Sequence, residues 1–132
     1  MSRIVGLGID VVDRTRIARL LERHGEAFLH RDFLAGEVRL EESAQASRRA
    51  DHVAGLFAAK EAAMKALGTG WAKGVGFLQI ETCRQPSGAP SLRLHGEARR
   101  RGESLGVERL WLSISHDGST AVAVVVLEGS PA

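Results

Sequence analysis

From near Ser47 to about Leu67 the chain places Val53, Leu56, Phe57, Ala59, Ala63, Met64 and Leu67 at helical spacing, and Gly68 and Gly70 end the run. Apolar positions three and four apart over so long a stretch predict one continuous helix, the longest element the chain can form. Ala58, Ala59, Ala62, Ala63 and Ala66 crowd its C-terminal half. Side chains that small let another backbone or a ligand come close. Whatever else the 132 residues do, they must cover this helix.

The flanking segments read as short elements that do so. Residues 3–9 are apolar and bounded by glycine, which predicts a buried first strand with Asp10 at its C-terminal end. Asp13 is suited to cap a helix over residues 14–24, whose stripe of Ile17, Ala18, Leu20 and Leu21 is stopped by Gly25. Residues 26–43 read as short helices with Phe28, Leu29, Phe33 and Leu34 as contacts, and residues 44–51 as a polar connection. Beyond the long helix, residues 77–83 alternate as a strand, Pro86 to Pro90 make a turn, and Ser91 to His95 make the partner strand. A basic helix over 96–105 stops at Gly106, and Arg109 to Ser115 with Thr120 to Leu127 form a hairpin around residues 116–119. The order β-ααα-β-β-α-β-β predicts a single α+β domain over 1–132, its strands in one sheet and its helices packed against it.

Several function classes drop out. A single cysteine, Cys83, cannot form an intramolecular disulfide or a cysteine zinc cluster. No apolar run reaches the length of a membrane span and no signal peptide is evident, so a cytoplasmic location is expected. A net charge of +2 is too small to indicate a nucleic-acid binder. The positive charge is instead clustered, at Arg14, Arg16, Arg19 and Arg23 and again at Arg99, Arg100 and Arg101, where it can serve an acidic partner or simply face water.

Asp10 interrupts an apolar run, where a carboxylate needs a partner: a cap, an arginine or a metal ion. Glu61 and Lys65 stand four apart on the long helix, which suits an ordinary surface ion pair as well as a site. Two carboxylates, Asp10 and Glu61, can share a hard divalent cation, and the lysines suit phosphate. Gly68, Thr69 and Gly70 offer backbone N–H groups in the manner of a phosphate nest, although the order of a P-loop is absent. Ser113, Ser115 and His116 end a hairpin strand, where hydroxyls and an imidazole can reach a phosphate.

In this order and spacing, Gly8-Ile9-Asp10-Val11-Val12, Phe57-Ala58-Ala59-Lys60-Glu61-Ala62 with Lys65-Ala66-Leu67-Gly68-Thr69-Gly70, and Ser113-Ile114-Ser115-His116 closely resemble the holo-acyl-carrier-protein synthase family, the small 4′-phosphopantetheinyl transferases. The resemblance spans residues 4 to about 128. It implies the 4′-phosphopantetheinyl transferase-like fold, an antiparallel sheet packed against helices that include one long central helix. It implies transfer of the 4′-phosphopantetheine arm of coenzyme A to a serine of apo acyl carrier protein in fatty-acid biosynthesis. The alternatives are a polyketide or peptide-synthesis carrier, or a non-catalytic module that binds coenzyme A or a carrier.

By the same resemblance Asp10 and Glu61 are expected to ligate Mg²⁺, and Lys65 to stabilise the phosphate or relay the serine proton. Lys60 and His116 are expected to contact phosphate, Gly68, Thr69 and Gly70 to line the coenzyme site, and Gly88 and Pro90 to lie on its adenine side. Arg16, Leu20 and Arg23, with Arg19 beside them, match the family's carrier-docking face. The family is commonly a homotrimer with active sites between subunits, so Asp10 and His116 need not meet Glu61 within one chain. Leu56, Ala89 and Asp117 stand where the family commonly has arginine, lysine and threonine.

Overall fold

A computed structural model of the chain describes residues 2–39 and 45–130. In chain order the elements are β1 (Arg3–Asp13), α1 (Arg14–His24), α2 (Glu26–Asp32), α3 (Ala46–Leu67), a short 3₁₀ turn (Phe77–Gln79), β2 (Ile80–Arg84), β3 (Pro90–Leu94), α4 (Gly96–Leu105), β4 (Val107–Asp117) and β5 (Thr120–Gly129). The fold is α+β. The long helix α3 lies at its centre, with Ala54, Ala58, Ala59 and Ala62 wholly buried along it. It ends where Gly68 takes a left-handed conformation (φ 72°) and returns its N–H to the Lys65 carbonyl.

Strand β1 rests directly on α3. A Cβ at Gly8 would run into the carbonyl oxygen of Ala62, and one at Gly6 into that of Ala66. The absence of side chains at these two strand positions is what lets backbone meet backbone, so the glycines of the strand and the alanines of the helix form one interlocked seam. The antiparallel sheet has the order β1-β5-β4, and its inner face supplies Val12, Ala121, Ala123, Val125 and Leu127 to the core. On the far side of α3, Phe28, Phe33, Phe57 and Phe77 form a chain of rings with centroids 5.0–6.2 Å apart.

The structure departs from the sequence reading at four places. The first strand does not end at Asp10 but runs on to Asp13, because its alternation continues through Val12 and its pairing with β5 extends to Thr120. Residues 77–79 turn before β2 begins, since Phe77 and Ile80 are both buried at a spacing of three, which suits a helical turn and not a strand. Among the described residues the strands form two sheets and not one: β2 and β3 pair only with each other, and α4 intervenes before β4 takes β5 as its partner. In the segment 26–43 only α2 is helical among the described residues, and its expected continuation over 40–43 lies outside them.

Candidate active site

Asp10 sits in the C-terminal part of β1 with its side chain on the inner face of the sheet, 7% exposed. Lys65, in the last turn of α3, reaches across to it: its Nζ donates to Asp10 Oδ1 at 3.0 Å and to the Ile9 carbonyl at 2.9 Å. Lys65 thus pairs with Asp10, 55 residues away, and not with Glu61 one turn back. The other oxygen, Oδ2, is buried with no hydrogen-bond partner among the described residues. Glu61 lies beside it. Burial and then the neighbouring Asp10 carboxylate push the Glu61 carboxyl above its ordinary range, against the opposing pull of Arg16 and Lys65.

Two crowded carboxylates with an orphaned buried oxygen are the donor set of a hard divalent cation, which would remove both the repulsion and the unsatisfied lone pairs. Among the described residues no three or more histidine, cysteine, aspartate or glutamate side chains gather to hold a metal. A cation here would therefore complete its coordination with water or substrate oxygens, as Mg²⁺ characteristically does.

Lys60 does not reach this site, contrary to its expected role as a phosphate contact. It is wholly buried, its Nζ donates to Glu37 Oε2 at 2.8 Å and to the Phe77 carbonyl at 2.9 Å, and it lies 4.8 Å from the Phe33 ring centroid. Burial holds its ammonium below the ordinary lysine range, with Glu37 opposing that shift. The expected nest at Gly68, Thr69 and Gly70 is also corrected. The three backbone N–H groups point back to Lys65 and Met64 carbonyls, because a helix C-terminus presents acceptors that claim them.

His116, Gly88 and Pro90 come together elsewhere, around a cavity of about 210 Å³ that also takes in Glu37, Arg39, His52, Gly55, Leu56 and Arg84. His116 is on the inner face of the sheet two strands from β1, and its Nε2–H donates to the Asp51 carbonyl at 2.9 Å. A Cβ at Gly55 would press on the His116 ring at 3.0 Å, so β4 meets the N-terminal half of α3 while Asp10 meets the C-terminal half. One chain therefore brings Asp10, Glu61 and Lys65 together and keeps His116, Gly88 and Pro90 apart from them. Ser113 and Ser115 alternate to the outer face of the sheet, opposite Val124 and Val122, and take no part in the cavity.

Helix α1 is capped by Asp13, whose side chain accepts from the Thr15 N–H at 2.9 Å. Arg19 and Arg23 are exposed on it, and Leu20 is half-buried between them. Arg16 is exposed as well, lies over the Phe57 ring, 5.2 Å from its centroid, and shares with Glu61 a groove of about 530 Å³ walled by Trp71, Phe77 and Leu78. Sequence reasoning missed Glu37, Arg39, His52 and Arg84. Their convergence depends on pairing between distant segments, and no local pattern announced it.

The family model described as the 4′-phosphopantetheinyl transferase superfamily matches residues 6–125. The holo-[acyl-carrier-protein] synthase of Maridesulfovibrio salexigens is 48% identical over 125 residues, which cover 95% of this chain and 98% of that one. That of Solidesulfovibrio magneticus is 50% identical over 126 residues, covering 96% and 99%. Among solved structures, Helicobacter pylori holo-[acyl-carrier-protein] synthase in complex with coenzyme A superposes with a TM-score of 0.78 at 36% identity, covering 92% of this chain and 98% of that one.

Proposed function

The chain belongs to the 4′-phosphopantetheinyl transferase superfamily, and we propose that it transfers the 4′-phosphopantetheine arm of coenzyme A to a serine hydroxyl of apo acyl carrier protein, releasing adenosine 3′,5′-bisphosphate. The observation that carries this reading is the pair of crowded carboxylates, Asp10 with its unpartnered Oδ2 and Glu61 beside it, next to the ammonium of Lys65. Asp10 and Glu61 would hold Mg²⁺. When bound, the ion would neutralise charge on the diphosphate and favour in-line displacement.

The chain's own residues do the remainder. Lys65, fixed by Asp10 and the Ile9 carbonyl, keeps about half of its side chain open to solvent, so its charge is available to the attacked phosphate. Burial around Asp10 lowers the local polarity and strengthens each of these interactions. The nucleotide end of coenzyme A is assigned to the cavity of His116, Gly88 and Pro90. With their N–H groups occupied, Gly68, Thr69 and Gly70 retain only a shaping role.

A homotrimer with sites between subunits is part of the proposal, supported by two observations. The carboxylate cluster and the cavity meet opposite halves of α3. The outer face of the sheet is an apolar surface in which Leu7 (64%), Val11 (62%) and Trp111 (50%) are exposed, the kind of patch that marks an interface. A cytoplasmic setting is supported by the free thiol of Cys83. Service to fatty-acid synthesis is part of the proposal, supported by relatives named for acyl carrier protein.

Incubation with coenzyme A, Mg²⁺ and an apo acyl carrier protein should add one phosphopantetheine mass to the carrier. Glu61→Gln should abolish that gain while the circular dichroism spectrum stays unchanged. Persistence of transfer and of its Mg²⁺ dependence in Glu61→Gln would remove Glu61 from the metal site. Arg16, Arg19 and Arg23, with Leu20 among them, form the proposed docking face for the acidic carrier. Arg23→Glu should raise the carrier KM about tenfold or more at low salt and leave coenzyme binding unchanged, the difference shrinking as salt screens it. Equal losses toward both substrates would count against α1 as the docking helix.

A further inference from the structure

The carboxylate of Glu37 is 3% exposed and every direction around it is used. Oε1 accepts from the Thr82 N–H at 2.7 Å and from the Thr82 hydroxyl at 2.6 Å. Oε2 accepts from the Leu34 N–H at 2.6 Å and from Lys60 Nζ at 2.8 Å. One side chain thereby ties its own loop to β2 and to α3. Buried ion pairs add little net stability compared with apolar residues of the same volume, because desolvation offsets their attraction. Stability alone therefore gives weak reason for this pair, whereas the fixing of three segments gives a strong one.

Two residues further on, the Arg39 N–H donates to His52 Nε2 on α3 at 3.2 Å. The Arg39 side chain is thus carried between two anchors to the wall of the cavity that also holds Arg84, His52 and His116. Among the described residues Glu37 is the one carboxylate on that wall, and Lys60 cancels its charge from the buried side. The described lining therefore presents a positive surface to whatever enters the cavity. Arg39 and Arg84 line this cavity together with His52 and His116, so two guanidinium groups share one recess.

We propose that Arg39 binds an anionic group of the nucleotide end of coenzyme A, and that Glu37 is the positioning residue that holds Arg39 in place to do so. The assignment rests on the functional reading above and adds to it a binding group outside the three sequence motifs. An arginine is suited to the task by its planar, paired donors, which match a phosphate in two places at once. Glu37 acts through Arg39 and touches no substrate.

The test uses the full chain with coenzyme A as the probe, and reads the calorimetric Kd, the KM and kcat of transfer, and the thermal midpoint. Arg39→Ala and Glu37→Gln should each raise Kd and KM for coenzyme A about tenfold, with kcat at saturation within about twofold. The double variant should be no worse than the weaker-binding single, since one residue acts through the other. Unchanged Kd in Arg39→Ala, additive losses in the double, or a Glu37→Gln protein with a lowered thermal midpoint and normal Kd would each overturn the proposal. Should Glu37→Gln fail to fold, Thr82→Val removes a single bond to the carboxylate. A weakened Kd there that Thr82→Ser restores supports the positioning role, and an unchanged Kd overturns it. If the unsubstituted chain neither binds coenzyme A nor modifies a carrier, the functional reading itself falls and this assignment with it.

Discussion

His52 is held uncharged by its surroundings. Burial acts first, and the charges of Arg84, His116 and Arg39 add to it, so its pKa in the folded chain lies below the ordinary 6.5. Its Nε2 accepts the Arg39 N–H, a bond that protonation would destroy. The sign follows. Above the unfolded value neither state binds the proton and stability is full. As pH falls, the unfolded chain takes up the proton first, and stability is lost down through the depressed folded value. The thermal midpoint of the native chain should therefore fall between about pH 7 and about pH 5, and His52→Gln should flatten part of that decline. An identical slope in the variant would show that His52 is not the group involved. At this scale the sequence was only half informative. The four-residue spacing of Glu61 and Lys65 fits a surface ion pair as well as a site, and what decides between them is Asp10, 55 residues from Lys65. Lys60 was misplaced for the same reason: its partner Glu37 is 23 residues away, in a loop without periodicity.

At the scale of the element, local chemistry wrote its own boundaries. Asp13 caps α1, Gly25 stops it, and Gly106 takes the left-handed conformation that ends α4, all where the sequence places them. The division into two sheets was not legible, because strand pairing is a choice between distant partners that alternation alone does not make. The seam between β1 and α3 was foreshadowed by its alanines and completed by the glycines of the strand. Gly8→Ala should force the strand off the Ala62 carbonyl at a cost of about 1–3 kcal/mol, seen as a lower urea midpoint. It should also weaken transfer, since Asp10 is carried on the displaced strand. A variant with an unchanged midpoint would mean that the seam yields more readily than its backbone contacts imply.

For the whole molecule the decisive feature is a division of labour across α3. The carboxylates with Lys65 meet one half of the helix, and the cavity of His116 meets the other. In a closed ring of identical chains each copy would lend one recess to its neighbour and borrow the other. Light scattering should then give about three times the 14.2 kDa chain mass. A Glu61→Gln chain keeps a sound cavity and a His116→Ala chain keeps sound carboxylates, so dissociating the two variants and reassembling them together should rebuild intact junctions in the mixed rings. The mixture should be more active than either parent, and a mixture no better than its parents would mean that each chain works alone. Complementation between two defective copies of one gene would be the functional signature of how β1 and β4 flank a single helix.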